Sequence, residues 1–162
     1  MRWTIALVAL IAMNPVPAAA QDEWPRETRF EGPLRFCSYA FAVEVGAGES
    51  AIVRDPGLDF TITYLESGAS WIGVYQGNFP QTTDKKIKRT RFFREVRVDR
   101  MTAEDGATSY LIHALPDYAA PVYLHVFSNQ FVGTDADKLI LQRLAVGTFA
   151  KTGCSEASYR RS

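Results

Sequence analysis

Short segments in which apolar and polar residues alternate run through most of the chain, and they constrain its fold more than any other feature. One face of the segment 34–45 holds Cys37 and Phe41 among other apolar residues. Residues 58–65 and 70–76 alternate in the same way, and the four-residue link between them has the length of a hairpin connection. Alternation with a period of two is typical of strands that bury one face. Further segments of strand character are residues 51–53, 87–99, 108–114 and 122–128.

One helix is expected near the C-terminal end of the chain, from Asp135 to about Phe149. Thr134 followed by Asp137 is a variant of the capping box, and aspartates in a first turn suit the positive end of the helix dipole. The apolar residues of this segment cover a wide arc, so we expect the rest of the protein to cover the helix. Strands in hairpin succession followed by a helix predict an α+β fold: a mainly antiparallel sheet of about five to seven strands with one C-terminal helix packed on it.

Residues 1–20 have the composition of a cleaved secretory signal peptide. A positive charge precedes an apolar core from Trp3 to Met13, and Ala18 to Ala20 form a small-residue cleavage site. This apolar core of eleven residues is too short for a helix that crosses a bilayer, which needs about 20 residues. We therefore expect export to the periplasm, with an uncleaved anchor as the alternative. The residue directly after the cleavage site is Gln21 and not a cysteine, so a lipoprotein is not expected. We expect residues 21–162 to form a single globular domain with a frayed segment at residues 21–32.

The two cysteines of the chain lie far apart. Cys37 is close to the start of the expected mature chain and Cys154 is close to its end. Two cysteines in an oxidising compartment most often form one structural disulfide. Neither cysteine has a second thiol or a histidine close to it in sequence, which argues against a redox pair and against a metal site. We therefore predict a disulfide that joins the first long strand to the end of the expected helix.

Length and composition fit one ordinary globular domain and exclude several classes of protein. The chain has 162 residues, 47% of them hydrophobic, and 18 basic residues balance 18 acidic ones. This composition excludes collagen-like, coiled-coil and strongly disordered chains. A net charge of zero argues against a dedicated nucleic-acid-binding protein, which is normally basic.

Charge is nevertheless concentrated in one segment. Residues 85–100 contain eight basic and two acidic residues, whereas the rest of residues 21–162 contain nine basic and 16 acidic residues. Arginine side chains near aromatic rings suit an anionic partner such as an acidic protein surface or an anionic component of the cell envelope. The competing interpretation is a cationic edge strand that only prevents edge-to-edge aggregation, and the two are nearly balanced. The candidate binding residues are Lys88, Arg89, Arg91, Arg94 and Arg97.

The sequence assigns no catalytic residue, metal ligand or cofactor. His113 and His125 lie in successive predicted strands, and a hairpin centred near Tyr118 would place them on the same sheet face. Two imidazoles are a start on a zinc site, which needs three or four ligands, but no third ligand stands at metal-ligand spacing. Half-buried strand histidines are the favoured interpretation. The motifs G-x-S-x-G and S-x-x-K, which position nucleophilic serines, are absent from the sequence.

A second segment with unusual composition runs from Gly73 to Pro80. It combines aromatic residues, two glycines, an asparagine and a proline at the end of a predicted strand. Such a segment can form a recognition loop. A shaped exit from the strand is the simpler interpretation.

These observations favour a non-enzymatic, exported binding protein of the inhibitor or immunity-protein type. It would use the basic strand to bind an acidic protein partner or an anionic envelope component, without nucleic acid and without spanning the membrane. Two alternatives remain: a small metal-assisted hydrolase that uses His113 and His125, or a binder of anionic envelope glycan or lipid. The oligomeric state is left open.

Overall fold

The structure is a computed structural model that describes residues 26–80, 86–93, 96–103, 106–115, 121–129 and 143–155, with residues 86–93 described as backbone. Within these ranges the chain forms strands β1 (Arg26–Glu31), β2 (Leu34–Cys37), β3 (Phe41–Val45), β4 (Glu49–Asp55), β5 (Phe60–Ser67), β6 (Ser70–Gly77), β7 (Lys86–Phe93), β8 (Val96–Thr102), β9 (Thr108–Leu115), β10 (Val122–Ser128) and β11 (Leu144–Val146), and the short helix α1 (Phe149–Thr152). The expected signal peptide, residues 1–20, lies outside the described residues.

Eight of these strands form one antiparallel sheet. Their order is β1-β4-β5-β6-β10-β9-β8-β7, so β10 separates β6 from the last three strands. The strands β4, β5 and β6 follow one another as hairpins, and β5 pairs with β6 from Phe60–Gly77 to Ser67–Ser70. Gly68 adopts a left-handed φ of 59° in the tight turn between them. The turn chemistry seen in the sequence therefore sets the register of this hairpin.

The remaining three strands form a small second sheet that contains the disulfide. Its order is β11-β3-β2, with antiparallel pairing throughout. Helix α1 packs beside it. The rings of Tyr39 and Phe149 meet edge to face with centroids 6.1 Å apart, within the range of about 4.5–7 Å that is typical of aromatic pairs. Cys37, at the end of β2, forms a disulfide with Cys154 just after α1. Arg35 reinforces this junction because it donates a hydrogen bond to the carbonyl oxygen of Thr152.

Side chains from both sheets form one hydrophobic core. Phe41, in the middle of the small sheet, is fully buried. Gln76 of the large sheet also joins the two layers, since its Oε1 accepts hydrogen bonds from Ser38 Oγ and from the backbone N–H of Ala40, each 3.0 Å long. Aligned packing of two antiparallel sheets around interdigitated apolar side chains is a common way to bury one face of each sheet. The core includes Phe36, Phe41 and Val43 from the small sheet and Val74, Val98, Ile112, Leu124 and Val126 from the large one.

This architecture confirms the predicted mainly antiparallel sheet, a C-terminal helix and the single disulfide, although the described helix, Phe149–Thr152, is only four residues long. The strands are more numerous than the expected five to seven, with eight in one sheet and three in the other. The basic segment, expected as one extended strand over residues 87–99, is instead the antiparallel hairpin of β7 and β8. Residues 21–32, expected to be frayed, include β1, which pairs with β4 along its whole length.

The predicted helix from Asp135 to Phe149 is wrong in its last third. Leu144–Val146 forms β11, which pairs with β3 from Leu144–Val43 to Val146–Phe41. An apolar run of this length fits a strand as well as a covered helix, and pairing with the open edge of β3 decides between them. Residues 135–142 lie outside the described ranges, and after β11 the chain forms the helix α1 from Phe149. Within the described part of the chain, no helix is long and apolar enough to cross a membrane.

Candidate functional site

The basic segment forms the last hairpin of the large sheet. In the sheet order, β7 is the terminal strand on one side and β1 is the terminal strand on the other. The hairpin is in register from Lys86–Thr102 to Arg89–Asp99 and closes at Phe93–Val96. Among the candidate binding residues, Lys88, Arg89 and Arg91 lie in β7 and Arg97 lies in β8, whereas Arg94 is outside the described residues.

Arg97 is held by a carboxylate, so its positive charge is partly compensated. Its Nε and Nη2 atoms donate hydrogen bonds to the two carboxylate oxygens of Asp99, 3.2 and 2.8 Å away. The Arg97 side chain is 40% exposed and that of Asp99 only 4%. A bidentate pair of this kind fixes the orientation of the guanidinium. This ion pair lies within β8, so Arg97 adds less positive charge to the hairpin than a guanidinium without a carboxylate partner would.

Asp99 also pairs with His113 on the neighbouring strand. His113 Nε2 lies 3.0 Å from Asp99 Oδ2, and the imidazole meets the ring of Tyr123 edge to face at 5.2 Å. Burial raises the pKa of the Asp99 carboxyl, but the hydrogen bonds from Arg97 and His113 outweigh it and hold that pKa below its ordinary value. The carboxylate is therefore ionised at neutral pH, and it links β8 of the basic hairpin to the neighbouring strand β9.

His113 contacts Asp99 across two neighbouring strands. An Asp–His pair works as a general base when a nucleophile is also hydrogen-bonded to the imidazole. In the described part of the chain, the hydrogen bond of His113 is to Asp99 and no hydroxyl or thiol is bonded to its ring. The Asp99–His113 contact links β8 to β9.

The two histidines share a face of the sheet, as the sequence predicted. Tyr123 pairs with His113 and His125 pairs with Leu111, so both histidines point to the same side of adjacent strands. The ring of His125 packs against Phe127 with centroids 5.5 Å apart. Among the residues that the structure describes, no group of three or more His, Cys, Asp or Glu side chains could hold a metal ion.

Asp99→Asn is expected to destabilise the protein at neutral pH by about 1.5–3 kcal/mol, the usual contribution of hydrogen bonds to a charged group. Because the pKa of Asp99 is lower in the folded state, its stabilisation is present above the pKa of an unfolded Asp, about 3.9, and is lost as the pH falls through the lower folded-state value. Urea unfolding between about pH 5 and pH 3 measures this loss.

Between about pH 5 and pH 3, the unfolding free energy of Asp99→Asn should therefore depend less on pH than that of the unchanged protein. Asp59→Asn, the same chemical change at an exposed carboxyl, serves as the control and should change neither quantity by more than about 0.5 kcal/mol. An equal acid dependence in Asp99→Asn and in the unchanged protein would show that Asp99 does not contribute as described.

The same face of the large sheet displays a row of aromatic side chains. Trp71 and Tyr64 each meet the ring of Phe127 edge to face, at 5.9 and 6.4 Å. The Phe127 ring lies directly over Gly73, where a Cβ atom would come within 2.5 Å of it. Glycine at this strand position is therefore required by packing, which explains one of the two glycines in the unusual segment after Trp71.

Two large apolar residues at the end of this segment and beside it are exposed: Phe79 belongs to the possible recognition loop considered from the sequence, whereas Leu58 was not singled out. Phe79, just after β6, is 77% exposed and Leu58, in the turn before β5, is 67% exposed. The sequence does contain a signal for them, since each is a large apolar residue in a stretch that otherwise has turn composition, DPGLD and GNFP. Exposure itself becomes visible only in the fold.

Comparison with known protein families, curated proteins and solved structures finds no match to this chain. The two terminal strands of the large sheet differ in charge: β7 contains four basic residues and no acidic one, whereas β1 contains two basic and two acidic residues.

Proposed function

We propose that the protein is a non-enzymatic binding module that is exported and binds an anionic partner through the β7–β8 hairpin. The observation that supports this proposal best is the position of the basic segment, which forms the outermost hairpin of the eight-stranded sheet. The Cys37–Cys154 disulfide is compatible with an oxidising compartment, as an exported protein would meet. The proposal includes removal of residues 1–20.

The two terminal strands of the sheet differ in a way that edge protection alone does not explain. Strand β1 has two basic and two acidic residues, whereas β7 has four basic residues and no acidic one. Arg29 on β1 pairs with Glu31 and Glu66, and Arg54 on β4 pairs with Glu27, so this edge is locally neutral. Charges of both signs are enough to discourage edge-to-edge association. The single sign of charge on β7 is thus more than edge protection requires.

A concentrated charge on one hairpin attracts partners of opposite charge. The remainder of residues 21–162 has more acidic than basic residues, so the excess of positive charge is confined to this segment of the chain. Such a field orients an anionic partner as it approaches and raises the association rate, in a manner that salt weakens. An acidic protein segment and an anionic envelope component share this chemistry.

Charge reversal in β7 tests the proposal. Arg89→Glu with Arg91→Glu is expected to weaken binding of a fluorescein-labelled glutamate peptide by about tenfold or more, equivalent to ~1.4 kcal/mol, because attraction along the strand is lost. Fluorescence anisotropy over a salt series measures the affinity. Arg97 is left unchanged because a glutamate there would face the buried Asp99 carboxylate and disturb the fold.

The matched control makes the same change in net charge elsewhere. Arg26→Glu with Lys151→Glu alters two exposed residues, one on the opposite edge strand and one on α1. This control should keep most of the affinity if the hairpin is the binding site. Equal losses in the two double variants would show that only net charge matters and would overturn the assignment of the site.

A further inference from the structure

Leu58 and Phe79 form an exposed apolar pair at one end of the large sheet. They are the large hydrophobic residues that stand out as exposed among the described residues. Leu58 precedes β5 by two residues and Phe79 follows β6 by two residues. Since Phe60 pairs with Gly77, the two exposed side chains flank the same end of the β5–β6 hairpin.

The local structure holds this pair in place. The rings of Phe60 and Tyr75 stack with centroids 5.2 Å apart, and Tyr75 Oη accepts a hydrogen bond from the backbone N–H of Phe79 over 3.3 Å. On the other side, the backbone N–H of Gly57 donates to Asp55 Oδ1 over 2.8 Å and fixes the turn before Leu58. The apolar pair is therefore presented by ordered backbone.

The basic hairpin closes at this same end of the sheet. The end of β6 lies beside the start of β10, because Gly77 pairs with Tyr123. The start of β10 in turn lies beside the end of β9, because Val122 pairs with Leu115. Strand β8 begins there and β7 ends there, with Phe93 paired to Val96. Four strand spacings separate β6 from β7, or about 19 Å. One end of the sheet thus combines an apolar pair with the closed end of the basic hairpin.

We propose that this end of the sheet binds the surface of an anionic lipid bilayer. Leu58 and Phe79 enter the headgroup region, while the two basic residues of β7 nearest its end at Phe93, Arg89 and Arg91, contact anionic headgroups. The inference rests on the proposed function, since it names the partner of the same hairpin. Peripheral proteins bind stably when apolar insertion and electrostatic attraction act together, because either one alone gives only weak binding.

The apolar pair is the reason to choose a lipid surface over an acidic protein. The positive charge of the hairpin is enough to bind an acidic polypeptide. Binding such a polypeptide does not require two exposed apolar side chains on separate turns. A bilayer interface has anionic groups outside and apolar chains beneath them, which fits both features. Asp59, next to Leu58, is exposed and opposes the attraction, so Asp59→Asn is expected to strengthen binding.

Sedimentation with vesicles tests this inference, using the chain from Gln21, which includes every described element. The unchanged protein should bind vesicles of phosphatidylcholine and phosphatidylglycerol and leave pure phosphatidylcholine vesicles unbound at the same salt concentration. Leu58→Ser with Phe79→Ser should weaken binding to the anionic vesicles by about tenfold or more, while affinity for the glutamate peptide stays unchanged. Phe79→Trp keeps an apolar ring and should retain binding, with an indole emission that shifts to the blue on insertion.

The outcomes separate the two proposals. If Leu58→Ser with Phe79→Ser binds anionic vesicles as the unchanged protein does, or if the unchanged protein binds the peptide but no vesicles, the lipid surface is the wrong partner and the proposed function stands. If Arg89→Glu with Arg91→Glu alters neither vesicle nor peptide binding, the proposed function itself fails. Both serine substitutions lie at exposed positions, so equal thermal midpoints will confirm an intact fold.

Discussion

Reduction of the Cys37–Cys154 disulfide is expected to lower the free energy of unfolding by about 2–5 kcal/mol. The bond joins residues 117 positions apart, and closing so long a loop removes much conformational freedom from the unfolded chain. It also ties the end of β2 to the segment after α1, at the corner of the small sheet. Urea unfolding with and without a reducing agent measures the difference.

The double variant Cys37→Ser with Cys154→Ser provides the control. It should match the reduced protein in stability and should not respond to the reducing agent. The hydrogen bond from Arg35 to Thr152 will still join the two segments, so the small sheet should persist when the unfolding free energy remains positive. A difference below about 1 kcal/mol between oxidised and reduced protein would contradict the role given to the disulfide.

Phe41→Ala is expected to lower the free energy of unfolding by about 3–5 kcal/mol. Phe41 is fully buried at the centre of the small sheet, and its ring lies 6.0 Å from that of Phe36 between the two layers. Truncation leaves a cavity that neighbours on rigid strands cannot fill. Thermal or urea unfolding followed by circular dichroism gives the loss.

Phe79→Ala is the matched control, because it makes the same chemical change at a residue that is 77% exposed. Its effect on stability should stay within about 0.5 kcal/mol. The pair of variants also separates fold from surface, since Phe79→Ala should reduce binding to anionic vesicles without altering the unfolding midpoint. A loss of stability in Phe79→Ala as large as in Phe41→Ala would contradict the description of the core.

Local sequence signals predicted a large part of this fold. Strands β5, β6, β9 and β10 have strand composition and are separated by turn-forming residues, and each lies close to its predicted position. The disulfide followed from the number of cysteines and the expected compartment. In contrast, the apolar run Leu144–Val146 suits either a helix or a strand. It forms a strand because it pairs with β3, which lies about 100 residues earlier in the sequence, and local periodicity carries no information about so distant a contact.

In the candidate site, too, local properties could be predicted from the sequence, whereas contacts between strands could not. The basic charge of residues 85–100 is a local property and was visible in the sequence, but its division into two strands was not. The contacts of Asp99 with Arg97 and His113 depend on the register between β8 and β9. Leu58 and Phe79 lie at the end of the sheet where the basic hairpin closes. This placement depends on the order of all strands between β5 and β7.

The most direct test of the central claim, that the β7–β8 hairpin is the binding surface, is a nuclear magnetic resonance titration resolved by residue. Uniformly nitrogen-15-labelled protein is titrated with the glutamate peptide at low salt, and amide shifts are compared between the two edges of the large sheet. The proposal predicts that the largest shifts lie in Lys86–Phe93 and Val96–Thr102 and disappear at high salt. Shifts as large in Arg26–Glu31, or shifts spread evenly over the chain, would contradict it.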